Sequence, residues 1–524
     1  MKHLLSHSSS QLVSLIPLTM SLFRVLAVHV GAFYFELFHL IVMSGFGFLG
    51  LKILKPRLPL ALSNFDLFFT SVSSVTVSSV TAVEMEVFSN SQLLLMTFLI
   101  FVGGEVFTST LGLLVSSSFN LSQNQSLKNR VTSHHIPQVP HNPNQILINL
   151  VSLKKKNELG VYDHSSDNNI VQDDNKLGEL KCRSVKCLGF VTLGSTVVLH
   201  LVGSALVSSY ISIEPSAKQV LRKKGISVQT FSVFTIVSTI ASCGFVPTNE
   251  NLIVFKQNSG LLWLILPFVY IGNTLYAPFL RLVIWVLDKV MKREEFGYIQ
   301  KNYKEIGFDH LLSGVHCWLL VATVLGFNLI QFVLFCCLEW NSENMEGLNT
   351  YQKLIASLFQ ITNARYAGQA VFDLSALSSA ILVLFVVMMY LPPYTTILPI
   401  NDDTNEKKKE EKSLKQCLLF SQLSYLAIFI ILICITECKS LREDPLNFNV
   451  FNITLEVISA YGNVGFSTGY SCKRQLKADA NCRDLWIGLS GKMSNKGKFI
   501  IIVVMFFGRL KKYSMKGGQA WYLS

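Results

Sequence analysis

The sequence predicts an all-α integral membrane protein: eight transmembrane helices in four helix–pore loop–helix pseudo-repeats around one central pore. Three observations carry that expectation. Half of the 524 residues are hydrophobic and 15% are charged, where a soluble domain carries about 25% charged residues. Eight apolar stretches can each supply the roughly 20 residues that a bilayer requires. Four segments rich in Ser, Thr, Phe and Gly fill alternate gaps between those stretches. A mean hydropathy of +0.42 agrees, and the composition excludes a disordered chain, a collagen, a coiled coil and a disulfide-stapled miniprotein.

The elements follow in order. Residues 1–27 form an N-terminal segment; 11–23 resemble a signal-peptide core, but no small-x-small cleavage site follows, so an uncleaved lead into the first span is expected. Repeat 1 (28–115) has spans at 28–51 and 93–114. Residues 116–186, rich in Asn, Ser, Asp and Lys, read as an aqueous, cytoplasmic loop. Repeat 2 (187–293) has spans at 187–210 and 261–286, and repeat 3 (294–398) at 311–338 and 377–398. A charged cytoplasmic loop, 399–415, carries Lys407, Lys408 and Lys409. Repeat 4 (416–517) has a span at 418–436 and another from Lys498, interrupted by Arg509; residues 518–524 are a tail.

The gap segments look alike. Each has a Phe- and Ser/Thr-bearing run or its counterpart (Phe68, Phe69, Thr70; Phe231, Phe234, Thr235; Phe359, Gln360; Ile458, Ser459) and then a small-residue turn (Ser78-Ser79, Cys243-Gly244, Ala367-Gly368, Val464-Gly465). Irregular backbone at membrane depth is tolerated only where it is buried or lines a watery cavity. Short helices there would point negative C-terminal dipoles at a central cation, and the following carbonyls would replace its water. The plain alternative is extramembrane loops with chance similarity. Alternate spacing puts all four on one side of the membrane, which argues against chance.

These motifs resemble plant high-affinity potassium transporters, the HKT family, which belongs with the bacterial Trk and Ktr proteins. The stretches that carry the resemblance are Val77 to Asn90, Cys243 to Asn251, Met388-Met389-Tyr390-Leu391-Pro392-Pro393-Tyr394 and Ser459 to Phe466, and it extends over about 35–521. It places the ion selectivity filter on Ser79, Gly244, Gly368 and Gly465, and implies a sodium-selective, serine-filter subgroup. It further implies passive, inward sodium movement across a plant plasma membrane in salt tolerance, with potassium transport or sodium–potassium symport as the alternative. A homodimer is suggested by the family alone. The expected physics is that Ser, with its Cβ, avoids the positive φ that glycine reaches freely, so one loop fails to complete a carbonyl ring and potassium suffers more than sodium. Ser78, Ser242 and Asn463 are expected to line or modulate the pore. Two departures are visible: Tyr366 and Gln369 stand where the family commonly has His and an acidic residue, and Ser242 where many members have Asn. Loss of an acid near the mouth would weaken cation accumulation.

Other residues have two readings. Arg509 is either a positive charge near the permeation path, as the family position implies, or a snorkelling Arg. Glu84 and Glu86 either line the outer mouth or form a solvated face. Glu105 needs a partner inside the membrane. Cys472 and Cys482 lie on the side that the resemblance makes extracellular, where they are expected to pair. Asn452-Ile453-Thr454 is a glycosylation sequon on that side; Asn120 and Asn124 head sequons in the cytoplasmic loop. The net charge of +12 concerns lipid headgroups and topology rather than nucleic acid, for which no signature exists. The remaining Cys have no metal spacing, so no metal and no cofactor are expected beyond transported Na+ or K+. His29, His39, His200 and His316 lack the repeated spacing of haem ligands, and no Walker A motif supports an ATP-driven pump. An enzyme is not expected.

Overall fold

The computed structural model describes residues 32–58, 62–114, 167–396, 422–476, 482 and 484–511. The N-terminal segment, most of the polar loop with its sequons at Asn120 and Asn124, the insert 399–415 and the tail lie outside them. The described residues are helical, with one isolated antiparallel bridge between Tyr470 and Leu485.

Short helices occupy the gap segments: Asn64–Val75, Val228–Ile240, Thr350–Asn363 and Val450–Gly462. Each starts on a residue whose side chain accepts a first-turn N–H: Ser63, Ser227, Asn349 and Asn449. Their hydroxyls would be costly in an apolar interior. Several of them bond instead to carbonyls one turn back, as Thr70 does to Asp66, Ser74 to Thr70, Thr239 to Thr235 and Thr362 to Leu358. Segments too polar to resemble spans are thereby able to pack as core, with Phe69, Phe231, Phe234, Phe359 and Tyr461 fully buried.

Ala32–Ile53, Asp167–Ile213 and Gly314–Glu339 precede three of these pore helices, and each contains a stretch long and apolar enough to cross a bilayer. Gln422–Thr436 precedes the fourth. The polar loop expected to run to residue 186 gives way earlier, because the helix already begins at Asp167. Extending a helix that the membrane span has nucleated costs little even through polar residues.

The helices after the pore loops correct the expectation of continuous spans. Asn90–Gly103 and Glu105–Leu114 meet at 56°, and Ser259–Ile271 and Tyr276–Met291 at 84°. Ser379–Tyr390 stops short of Pro392 and Pro393, whose rings cannot continue it. A Cβ on Gly103, Gly272 or Gly508 would crowd the carbonyl of Val75, Ile240 or Tyr461 at the end of a pore helix. Backbone therefore meets backbone at each of these points. Two outer helices also end in a carboxylate that holds the next inner helix by its N-cap residue: Glu339 accepts from Ser378 N at 2.8 Å and Glu437 from Ser494 N at 3.0 Å.

The chain divides into two compact units. The larger (1–109, 192–283, 309–524) contains the four short helices of the gap segments and Ser79, Gly244, Gly368 and Gly465. The smaller (110–191, 284–308) contains the first part of Asp167–Ile213 and the short helices Glu294–Lys301 and Tyr303–Ile306.

Candidate functional site

The loops leaving the pore helices share a backbone device. Val77 and Ser79, Ser242 and Gly244, and Asn463 and Gly465 have positive φ two residues apart; in the third loop only Gly368 does. In loops one, two and four, the residue before the filter position donates its N–H to the pore helix: Ser78 to Ser73 O, Cys243 to Ser238 O and Val464 to Ser459 O. In the third, Gly368 itself donates to Asn363 O at 3.0 Å. The turn in that loop is shifted by one residue relative to the other three, and it carries a single left-handed residue.

The four positions expected to form the filter converge. A Cβ on Gly244 would overlap Ala367 O, one on Gly368 would overlap Val464 O, and one on Gly465 would overlap Ser79 Oγ. All four line the base of one vestibule of about 520 Å³, whose wall includes Thr248, Asn251, Asp373, Arg474 and Trp486. The site sits wholly within the larger unit.

Ser79 departs from the expected physics. It adopts φ +46°, so its Cβ does not keep the loop out of the left-handed region; that conformation costs a non-glycine residue about 1–2 kcal/mol and is held by the packing around it. The hydroxyl makes the difference. Ser79 Oγ donates to Val464 O at 2.8 Å and lies 3.0 Å from where a Cβ on Gly244 would stand. It thus sits inside the ring, on a carbonyl of the fourth loop.

The other anticipated residues divide. Asn463 Nδ2 donates to Ser78 Oγ at 2.7 Å and to Met505 O at 3.3 Å, bracing loops one and four behind the filter. Ser242 Oγ accepts from Asn273 Nδ2 and donates to Gly272 O, fixing the second inner-helix break. These three side chains support the filter and are not part of the vestibule wall. Gln369 is fully buried, with Nε2 on Thr239 Oγ1 at 2.9 Å; it stands behind the filter, so the expected loss of an acid at the mouth does not describe it. Tyr366 packs edge-on against Tyr270 at 5.8 Å, and the preceding Arg365 donates to Pro392 O at 2.8 Å.

Glu84 and Glu86 do not line the mouth either. Glu84 Oε1 accepts from Trp486 N at 3.1 Å. Glu86 accepts from Asn249 N and from Lys224, which also reaches Glu250. Burial lowers the Lys224 pKa, but the hydrogen bonds it donates to Glu250 and Glu86 outweigh that and raise it above the usual lysine value. Lys224→Met should therefore lower stability by about 1–3 kcal/mol, between an exposed and a buried pair, read as a drop in Tm in detergent. A raised lysine pKa gives stability that is complete below the unfolded-state value and lost only as pH rises through the folded one. The Tm deficit should thus stay constant from about pH 6 to about pH 9; one that disappears within that range would mean the pair is not its source.

Arg509 is buried and does not snorkel. Its Nη2 donates to Gly103 O and its Nη1 lies 3.8 Å from Glu105 Oε2, which supplies the partner that Glu105 required. Cys472 and Cys482 are joined in a disulfide. Asn452 contradicts the glycosylation reading: it is 6% exposed, inside the fourth pore helix, with Nδ2 on Asn447 O at 2.8 Å. Sequence reasoning missed the ion pair between Lys498 and Asp66 at 2.6 Å. Its one signal was a lysine opening an apolar run opposite an acid opening a pore helix.

Helical spans around loops that turn left-handed backbone toward one axis define a membrane cation transport protein, not an enzyme. The TrkH family, described as a cation transport protein, matches residues 168–401 and 399–516. The chain is 49% identical to the sodium transporter HKT1 of Arabidopsis thaliana over 90% of this chain and 91% of that one. It is 46% identical to the cation transporter HKT1;3 of Oryza sativa subsp. japonica over 93% and 90%. Against the potassium transporter TRK1 of Candida albicans it is 28% identical over 64% and 33%. Among solved structures, the potassium transporter TrkH from Vibrio parahaemolyticus matches with a TM-score of 0.46 at 12% identity, over 93% of this chain and 85% of that one. The chain belongs to the HKT family of the Trk cation transport proteins.

Proposed function

We propose that this protein is a sodium-selective uniporter of the plasma membrane, with eight spans in four pseudo-repeats around one pore, passing Na+ passively down its gradient. The observation that carries the reading is the Ser79 hydroxyl on Val464 O inside the filter ring. A potassium ion needs several carbonyls to replace its water, and here one of them is already engaged. A smaller sodium ion accepts fewer ligands and can take the hydroxyl oxygen itself as one. The relative at 49% identity carries the name sodium transporter, which agrees. The disulfide Cys472–Cys482 suits a face turned to an oxidising exterior.

The test is two-electrode voltage clamp in oocytes with external sodium exchanged for potassium. The expected result is a reversal potential that follows sodium and ignores potassium. A reversal potential that follows both ions would keep the pore and sink the selectivity.

A further inference from the structure

Beyond Gly465 the fourth loop makes an excursion at the vestibule that the filter does not require. It is tied down at several points. Tyr470 pairs with Leu485, and Cys472 is bonded to Cys482. Asp484 Oδ1 accepts from Cys472 N at 2.6 Å. Asn447 holds Ser471 twice, donating to its carbonyl at 2.9 Å and accepting from its N–H at 3.1 Å. These ties fix the position of Arg474. Its Nη2 donates to Thr468 O at 3.0 Å and to Gly469 O at 3.2 Å, a few residues past the filter position of the same loop. Arg474 is partly buried and lines the vestibule whose base is the four filter positions.

A funnel for cations gains nothing from a guanidinium as such, since neutral donors could hold the same carbonyls. Its charge persists: burial lowers the pKa, Asp373, Asp444 and Asp484 oppose that, and an arginine is not deprotonated in a protein. Of the carboxylates on the wall, Glu250 is occupied by Lys224, and Asp373 and Asp484 share their field with Arg474. Lys473 lies on the same wall but is exposed, so Arg474 is the half-buried cation of the two that offset the acidic wall where an arriving ion is still hydrated.

We propose that Arg474 is a fixed positive charge that weakens the apparent affinity for external cations without choosing between them, and that the Cys472–Cys482 disulfide holds it in place. The inference rests on the transport reading above. A Coulomb term from a vestibule charge acts on sodium and potassium alike, whereas the choice between them is made at the ring where water is removed. A unit charge several ångströms from the path, in a medium between a protein surface and water, changes local cation concentration about fourfold.

The experiment is the sodium dependence of current in oocytes, at constant ionic strength with N-methyl-D-glucamine as the replacement ion. Arg474→Gln should lower the half-saturating sodium concentration about fourfold, Arg474→Lys should stay near wild type, and neither should move the sodium–potassium reversal potential. Raising ionic strength should shrink the difference. An unchanged half-saturation in Arg474→Gln overturns the proposal. So do equal shifts in the Gln and Lys variants together with a moved reversal potential, because the guanidinium would then only brace the Thr468 and Gly469 carbonyls. Should Arg474→Gln fail to reach the surface, the wild-type protein is recorded before and after external dithiothreitol. A fall in half-saturation supports the proposal, and none overturns it. Failure of the transport reading looks different: the wild-type chain itself would carry no cation current.

Discussion

Gly368→Ala should abolish cation current while the chain still folds and reaches the surface. The reason is position more than backbone strain. Gly368 has φ +70°, and an alanine there costs about 1–2 kcal/mol. The filter already tolerates Val77 at φ +51° and Ser79 at φ +46°, so a left-handed residue with a side chain is not by itself fatal. The added Cβ, however, would overlap Val464 O, the oxygen that already receives the Ser79 hydroxyl. That carbonyl must swing off the axis, and the Ser79 hydroxyl bonded to it is drawn away with it. If losing one ligand raises the conduction barrier by about 3 kcal/mol, current falls by about a hundredfold. Gly244→Ala should behave in the same way through Ala367 O. The check is whole-cell current normalised to surface-biotinylated protein. Currents near wild type at equal surface density would mean that the third loop does not close the ring.

The parts of this fold that were legible in the sequence are those set by local chemistry. The short helices announce themselves through Phe- and Ser/Thr-bearing runs followed by small-residue turns, repeated in alternate gaps between apolar stretches, and the structure places a helix in each of the four. What was not legible is set by contacts far apart in the chain. An apolar window looks the same whether or not it bends; the bends lie where Gly103 and Gly272 approach the backbone of Val75 and Ile240 too closely for a Cβ. Side-chain direction is equally silent. Glu86, Gln369 and Asn452 are polar residues in the gap segments, and each reads as something facing water or ions. Each instead satisfies a buried or half-buried partner: Lys224, Thr239 and Asn447. The ion pairs of Arg509 with Glu105 and Lys498 with Asp66 span some 400 residues of sequence, beyond the reach of any periodicity. Ser79 shows the same limit: its residue type speaks of a Cβ that avoids positive φ, yet it adopts φ +46° and its hydroxyl bonds Val464 O, a residue 385 positions away.

That distinction makes the second large effect separable. Ser79→Gly should admit potassium, so that the reversal potential responds to both ions. The substitution relieves about 1–2 kcal/mol of left-handed strain and removes a hydrogen bond worth about 1 kcal/mol net. These nearly cancel, so folding and surface density should change little and the effect should appear in permeation. Freeing Val464 O of a bond worth about 1 kcal/mol predicts a rise of about fivefold in the potassium-to-sodium permeability ratio. More is expected if widening the ring also lets the ion sit deeper. Ser79→Ala discriminates between the two physical accounts. It keeps the Cβ and removes only the oxygen. If the hydroxyl on Val464 O sets selectivity, alanine should raise potassium permeability much as glycine does, at some cost in stability from the retained strain. If the Cβ sets it, alanine should remain sodium-selective and glycine alone should open the filter to potassium. Should both variants still reverse with sodium alone, Ser79 would be a structural member of the ring, and selectivity would have to come from the carbonyls of the other three loops.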